Sequence, residues 1–184
     1  MGPVLFLIYI NDICNSSRQS NVKLKLFADD VKLYSDVYST SDDNLHICLN
    51  KIVKWADVWQ IKLSPSKCFV LSIGKTMVNT VYKVNDTKLL KAISNTDIGV
   101  EIDSFLMFYQ HIDKTCNKAK QRAAIIFECF KSRNPALLVK AFITYVRHIL
   151  ESACNVWYHF KLIHIDKLEH VQRYLTKRLK GMYN

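Results

Sequence analysis

The sequence predicts an α+β fold to about residue 103, followed by an all-helical segment. Three observations carry this reading. Apolar and polar residues alternate around 23–34, short apolar runs recur between 68 and 102, and beyond Asp103 the apolar period changes to three and four residues. With 184 residues the chain is long enough for one domain, or one domain and part of another. Apolar residues make up 49% and charged residues 23%, with four glycines and three prolines, which excludes collagen-like, linker-rich and proline-rich scaffolds.

Taken in order, Pro3 sits where a first-turn proline is tolerated, and Val4 to Ile13 reads as a helix closed by Asn15-Ser16-Ser17. Leu24 and Leu26 alternate with Lys23 and Lys25, and Val31, Leu33 and Tyr34 resume the pattern after Asp29-Asp30. The simplest geometry is a β-hairpin with the acidic pair at or beside its turn. Ser41-Asp42-Asp43 offers an N-cap. Leu45, Cys48, Leu49, Ile52, Trp55 and Trp59 then share one helical face. Ser64-Pro65-Ser66 breaks the chain before a short strand, Cys68 to Ile73. Val81–Val84 and Lys88–Ile93 read as another hairpin across Asn85-Asp86-Thr87, and Ile98 to Ile102 as a final strand.

Past residue 103, Ile112, Cys116, Ala119, Ala123, Ile126 and Phe130 form an apolar stripe, with Lys114, Lys118 and Arg122 at four-residue steps on another face. Pro135 starts a helix through Leu150. A last helix turns Ile165, Leu168, Leu175, Leu179 and Met182 inward and leaves Lys167, Arg173, Lys177 and Arg178 outside. The same spacing assigns Trp55, Trp59, Trp157, Tyr145 and Tyr174 to packing rather than to stacking on bases. His111 and His148 are candidate phosphate contacts, with surface or packing roles the preferred reading.

Several function classes drop out. The longest apolar run, Val4 to Ile10, is seven residues, whereas a membrane span needs ~20. No basic residue precedes that run and no small-residue cleavage pattern follows it, so it is not read as a secretory signal; Phe6 excludes a myristoylation signal. The six cysteines, at 14, 48, 68, 116, 129 and 154, form no Cys-x-x-Cys pair. They are expected to be reduced, mostly buried thiols of an intracellular protein, cytoplasmic or nuclear. Gly74-Lys75-Thr76 lacks the earlier glycine of a phosphate-binding loop.

The net charge of +10 is unevenly placed. Residues 111–184 carry 14 Lys+Arg against five Asp+Glu, +9, and residues 1–110 carry 12 against 11, +1. A basic C-terminal part beside a neutral N-terminal part suits a polyanionic partner.

The most chemically suggestive element is Phe27-Ala28-Asp29-Asp30. Two adjacent carboxylates on a tight hairpin repel one another, and a divalent cation with oxygen ligands relieves that cost. Asp-Asp at a turn is also ordinary turn chemistry, so the pair gains meaning from its context.

Gly2-Pro3-Val4-Leu5-Phe6-Leu7-Ile8-Tyr9-Ile10-Asn11-Asp12-Ile13, then Leu26-Phe27-Ala28-Asp29-Asp30-Val31-Lys32-Leu33-Tyr34, resembles the reverse transcriptases of non-LTR, jockey-like retrotransposons. The likeness continues in order. Leu49 to Gly74 is similar to the family's helix and "LN-x-x-K" strand, with Ser64 where Asn is usual, then Lys67 and Cys68. Ile98 to Asp103 with Phe108 and His111-Ile112 is similar to "LGV-x-ID…F-x-x-HI". Val146 to Glu151 with Trp157 resembles "VRPILEY…VW", His148 replacing the proline. Leu168 to Arg173 with Thr176 resembles "LE-x-VQR…T".

The resemblance implies a partial polymerase palm over 1–103, an antiparallel sheet with packed helices, and a basic helical thumb over 104–184. It implies an RNA-directed DNA polymerase acting by two-metal nucleotidyl transfer. Asp29 would be a catalytic metal ligand for Mg2+ or Mn2+, and Asp30 a ligand or support. Phe27 and Ala28 would lie beside the primer terminus, and Lys114, Lys118, Arg122, Arg173, Lys177 and Arg178 on template–primer phosphates. The implied partners are an RNA template and a DNA primer, with deoxynucleotides as the small molecules and no membrane.

In the family the fingers, a first palm strand with another metal-binding aspartate, and a Gln-Gly nucleotide-positioning element precede this region. Met1 stands where the family has a hydrophobic residue just before Gly-Pro. Asp12, placed on a helix, is read as a capping or surface residue rather than a substitute. The isolated chain is therefore expected to be inactive. Two other readings stay open: a non-enzymatic nucleic-acid-binding remnant, and a reading frame with no selected function.

Overall fold

The computed structural model describes residues 2–17, 22–36, 42–75, 80–132, 134–158 and 161–179. It is α+β and divides into two compact units, one of residues 1–72 and 76–92, the other of 73–75 and 93–184.

In the first unit, α1 (Gly2–Asn11) buries only Ile10 and runs into a 3-10 turn, Asp12–Ser17. Strands β1 (Lys23–Phe27) and β2 (Asp30–Tyr34) pair antiparallel, with Leu24 opposite Leu33, Leu26 opposite Val31 and Phe27 opposite Asp30. Side chains alternate between faces along a strand, so this register puts all four aliphatics on one side. There they pack against Ile10, Ile13, Val22, Cys48 and Ile52. Helix α2 (Asp42–Val58) supplies Cys48 and Ile52 and also buries Ala56. Of the expected N-cap segment Ser41-Asp42-Asp43, Ser41 lies outside the described residues and the helix begins at Asp42. Asp12 is exposed and accepts from Trp55 Nε1 at 3.3 Å, a surface role as read. Trp59 falls beyond the helix end at 40% exposure, so it is not the core residue its spacing suggested. It meets the edge of Tyr9, whose hydroxyl donates to the Trp59 carbonyl at 2.7 Å.

The rest of this unit departs from the sequence reading. β3 (Phe69–Leu71) does not join an antiparallel sheet. The hairpin expected over 81–93 shrinks to β4 (Lys83–Val84) and β5 (Thr87–Lys88), joined by Asn85 and Asp86 at φ 45° and 60°. After Leu89 donates to the Tyr82 carbonyl, the chain leaves, and β6 (Leu90–Ala92) lies parallel to β3. In place of the expected antiparallel sheet, the described strands form four two-stranded ribbons, one of them parallel. Two- and three-residue strands with exposed Leu90 and Lys91 offer no apolar face on which a third strand could settle.

The second unit opens with β7 (Ser94–Asp97) and β8 (Val100–Asp103), paired antiparallel. Ile98 is therefore not in a strand. Ile98 and Gly99 form the turn, both with positive φ, 46° and 80°, as a two-residue type I′ connection requires. The Asp103 carboxylate then accepts from the backbone N–H of Phe105, Met107 and Phe108 at 2.7–3.1 Å and fixes the entry to α3 (Tyr109–Cys129).

Asn134 caps α4 (Pro135–Phe142) by accepting from the Ala136 N–H at 2.9 Å. A π-helical turn, Ile143–Arg147, carries the chain into α5 (His148–Glu151), and α6 (Cys154–Trp157) and α7 (Leu162–Thr176) follow. The core joins Ile112, Cys116, Ala119, Ala123, Ile126 and Phe127 of α3 to Leu138, Val146, Trp157, Val171, Leu175 and Leu179. Ala119 and Ala123 have no exposed surface, and such small side chains let neighbouring elements approach closely.

Here the helical stripes are nearly as read. Phe127 is buried while Phe130 is half-buried, Val171 is buried while Leu168 is half-buried, and Met182 lies outside the described residues. Tyr145 is 52% exposed rather than packed, because the π turn carries it off the apolar face. The cysteines are all free thiols, but only Cys48 and Cys116 are buried and Cys129 is exposed. Among the described residues, no helix is long and apolar enough to cross a membrane.

Candidate functional site

The acidic pair is built by the hairpin. Phe27 and Asp30 form the last rung of the β1–β2 ladder, and Ala28 (φ 51°) and Asp29 make the turn. The strand alternation that turns half-buried Leu26 and Val31 toward the core sends Phe27 and Asp30 to the other face, with the Lys25–Lys32 rung. Phe27, Ala28, Asp29 and Asp30 are all exposed, Phe27 at 55%. Neither aspartate carboxylate has an internal hydrogen bond or ion pair among the described residues. The two acids thus project from a tight turn held by a packed apolar face.

Among the described residues, no group of three or more His, Cys, Asp or Glu side chains is placed to hold a metal ion. Two carboxylates alone do not fit the donor set a two-metal centre uses. The sequence reading gave no role to Lys25 and Lys32, whose rung shares a face of the hairpin with the Phe27–Asp30 rung. Their signal was the alternation itself, which assigns the solvent side of the strand along with the core side.

The six expected nucleic-acid contacts lie in the second unit, and the structure sorts them. Lys114 forms an ion pair with Glu101. Arg173 pairs with Glu169 at 2.6 Å, and the Arg178 guanidinium stacks 3.9 Å from the Tyr174 ring centre and bonds its hydroxyl. Lys118, Arg122 and Lys177 are exposed and without a partner among the described residues.

Lys114, Lys118 and Arg122, at one-turn steps along α3, border a cavity of about 460 Å3 that His111, Glu101 and Ser152 also line. His111 was read as a surface or packing residue, and it is buried. Its Nδ1 accepts from the Glu101 backbone N–H at 3.3 Å, and its ring lies 5.3 Å from that of Trp157. Burial pushes its imidazole below the usual range, Glu101 opposes this, and Lys114 adds to it. No sequence spacing announces this arrangement, because Glu101 and His111 sit on different elements. Burial also pushes the Cys116 thiol up, which leaves it an inert core residue.

A family model described as reverse transcriptase (RNA-dependent DNA polymerase) matches residues 1–102 of the chain. No curated protein and no solved structure matches it.

Proposed function

The chain belongs to the reverse transcriptase family, and from that premise we propose that it is the palm-and-thumb portion of an RNA-directed DNA polymerase of a non-LTR, jockey-like retrotransposon. One observation carries the reading. The Asp29–Asp30 doublet sits on a tight, exposed hairpin turn inside the matched region, with Phe27 opposite Asp30 on the last rung. Residues 1–103 are the palm portion in this proposal, and the basic helices of 104–184 are the thumb portion.

In this reading Asp29 is a ligand for Mg2+ or Mn2+ in the complete polymerase, Asp30 its companion, and Phe27 and Ala28 line the primer terminus. An RNA template and a DNA primer are the partners. These 184 residues by themselves do not polymerise, because the doublet lacks a further acid close by among the described residues. Each 1.36 kcal/mol of lost transition-state stabilisation is a tenfold loss in rate, and a metal centre supplies several such steps.

Primer extension on an RNA template, with magnesium or manganese, tests this directly. The purified chain is expected to add no nucleotide. Extension by the wild type that Asp29→Asn abolishes would overturn the inactivity while supporting the site assignment.

A second reading has its own observation. Lys118, Arg122 and Lys177 are uncommitted cations on the helical unit, which suits sequence-independent binding of a nucleic acid without synthesis. Salt-sensitive binding of single strands by a chain that extends no primer favours it.

A further inference from the structure

Two independent features of the cavity beside α3 ask for the same kind of ligand. The first is charge. Glu101, its acidic wall, is already committed: Lys114 donates to one carboxylate oxygen and Ser94 Oγ to the other at 3.4 Å. Lys118 and Arg122 also line the cavity, and no acid answers them among the described residues.

The second feature is a stranded donor. Because His111 Nδ1 accepts from the Glu101 N–H, a neutral imidazole must carry its proton on Nε2. That Nε2–H is buried and has no hydrogen-bond partner among the described residues, although His111 is more than nine-tenths buried and lines this cavity. Buried polar groups are normally paired, so a donor without an acceptor beside two uncommitted cations marks a place for an oxyanion.

We propose that this cavity binds a phosphate group, with Lys118 and Arg122 supplying the charge and His111 Nε2–H the directional hydrogen bond. A phosphate fits better than a carboxylate, since its several acceptor oxygens can meet a guanidinium fork, an ammonium and an imidazole together. The volume, about 460 Å3, lies within the ~300–1,000 Å3 of small-ligand pockets and admits a phosphate with part of an attached nucleoside. The inference rests on the nucleic-acid-binding part of the function proposed above, and it localises that binding to one pocket. The phosphate has two possible sources, a strand's terminal phosphate or its internal phosphodiesters.

Fluorescence anisotropy of the full chain tests it, using a short 3′-labelled oligodeoxynucleotide with and without a 5′-phosphate. Lys118→Gln combined with Arg122→Gln is expected to weaken binding by roughly tenfold or more, and Lys177→Gln, outside the cavity, by much less. Both pocket cations are exposed, so the double variant keeps the fold. His111 is buried, so it is read without substitution, as a shift of its Nε2 nitrogen resonance when inorganic phosphate is added. Dependence on the 5′-phosphate assigns the terminal source, and indifference assigns the internal one; either supports the pocket. Equal losses for the double variant and Lys177→Gln overturn it while leaving nucleic-acid binding intact. A phosphate-induced shift without oligonucleotide binding supports the pocket and refutes its nucleic-acid context. Neither binding nor shift sinks both.

Discussion

Phe27 stands directly opposite Asp30 across the β1–β2 ladder, so the second aspartate is placed by a strand rung and the first by the turn that follows Phe27. What holds the pair in place is therefore the apolar face of Leu24, Leu26, Val31 and Leu33, not any contact of the acids themselves. Substituting exposed groups without partners changes stability by no more than ~0.5 kcal/mol. Asp29→Asn and Asp30→Asn are accordingly expected to leave the urea midpoint unchanged. A loss of more than about 1 kcal/mol in either would show that the carboxylate has a structural partner.

The β7–β8 turn carries a cost that a substitution can remove. Ile98 adopts φ 46°, a left-handed conformation in which a β-branched side chain is strained by ~1–2 kcal/mol. It is 59% exposed, so little packing offsets the strain. Asn tolerates this region and precedes Gly99 in the Asn-Gly pattern that type I′ hairpins favour. Ile98→Asn should raise stability by about 1 kcal/mol, visible as a higher thermal midpoint. A lower midpoint would mean that the Ile98 side chain contributes packing that outweighs its backbone strain.

The hairpin at 23–34 and the buried stripe of α3 were legible in the sequence because each is local: a two-residue or a three-to-four-residue period states which side faces the core. The β3–β6 pairing was not. It joins Phe69–Leu71 to Leu90–Ala92, and a pattern inside either segment cannot name a partner 21 residues away. The turn at Ile98 was hidden for another reason, since an isoleucine is among the last residues expected at positive φ. The excess of basic side chains beyond residue 110 is visible in the sequence, but which of the six expected contacts are free is not. Glu101 captures Lys114 from a neighbouring strand, and only tertiary structure shows it.

That sorting of cations has a measurable signature. Binding of a single strand weakens with salt by a logarithmic slope of ~0.7 for each phosphate neutralised. Lys177 is exposed and uncommitted, so Lys177→Gln should reduce the slope by at most ~0.7. Arg173 is held by Glu169 one helical turn before it. Glu169→Gln should therefore free the guanidinium, tighten binding and steepen the slope. Titrations across a range of sodium chloride concentrations read both effects. Tighter binding with an unchanged slope would place Arg173 away from the bound strand.

The buried histidine links the cavity to pH. Burial, the largest influence on His111, disfavours its imidazolium; Glu101 opposes that effect and Lys114 adds to it, and the result lies below the ordinary value of 6.5. The Glu101 N–H bond to Nδ1 acts in the same direction, because a doubly protonated ring would set two donors against each other. The unfolded chain takes up a proton near 6.5 and the folded chain resists it, so acid favours unfolding. The stability this group confers is complete above pH 6.5 and is lost as the pH falls from there toward the folded value. His111→Gln, with no titrating ring at this position, should be less stable at neutral pH and lose less between about pH 7.5 and 5.5, as measured by urea unfolding. The difference between the two pH profiles isolates His111 from the other histidines. Wild-type stability that rises on acidification relative to the variant would mean that the folded chain holds an imidazolium there, with its Nδ1–H turned away from Glu101.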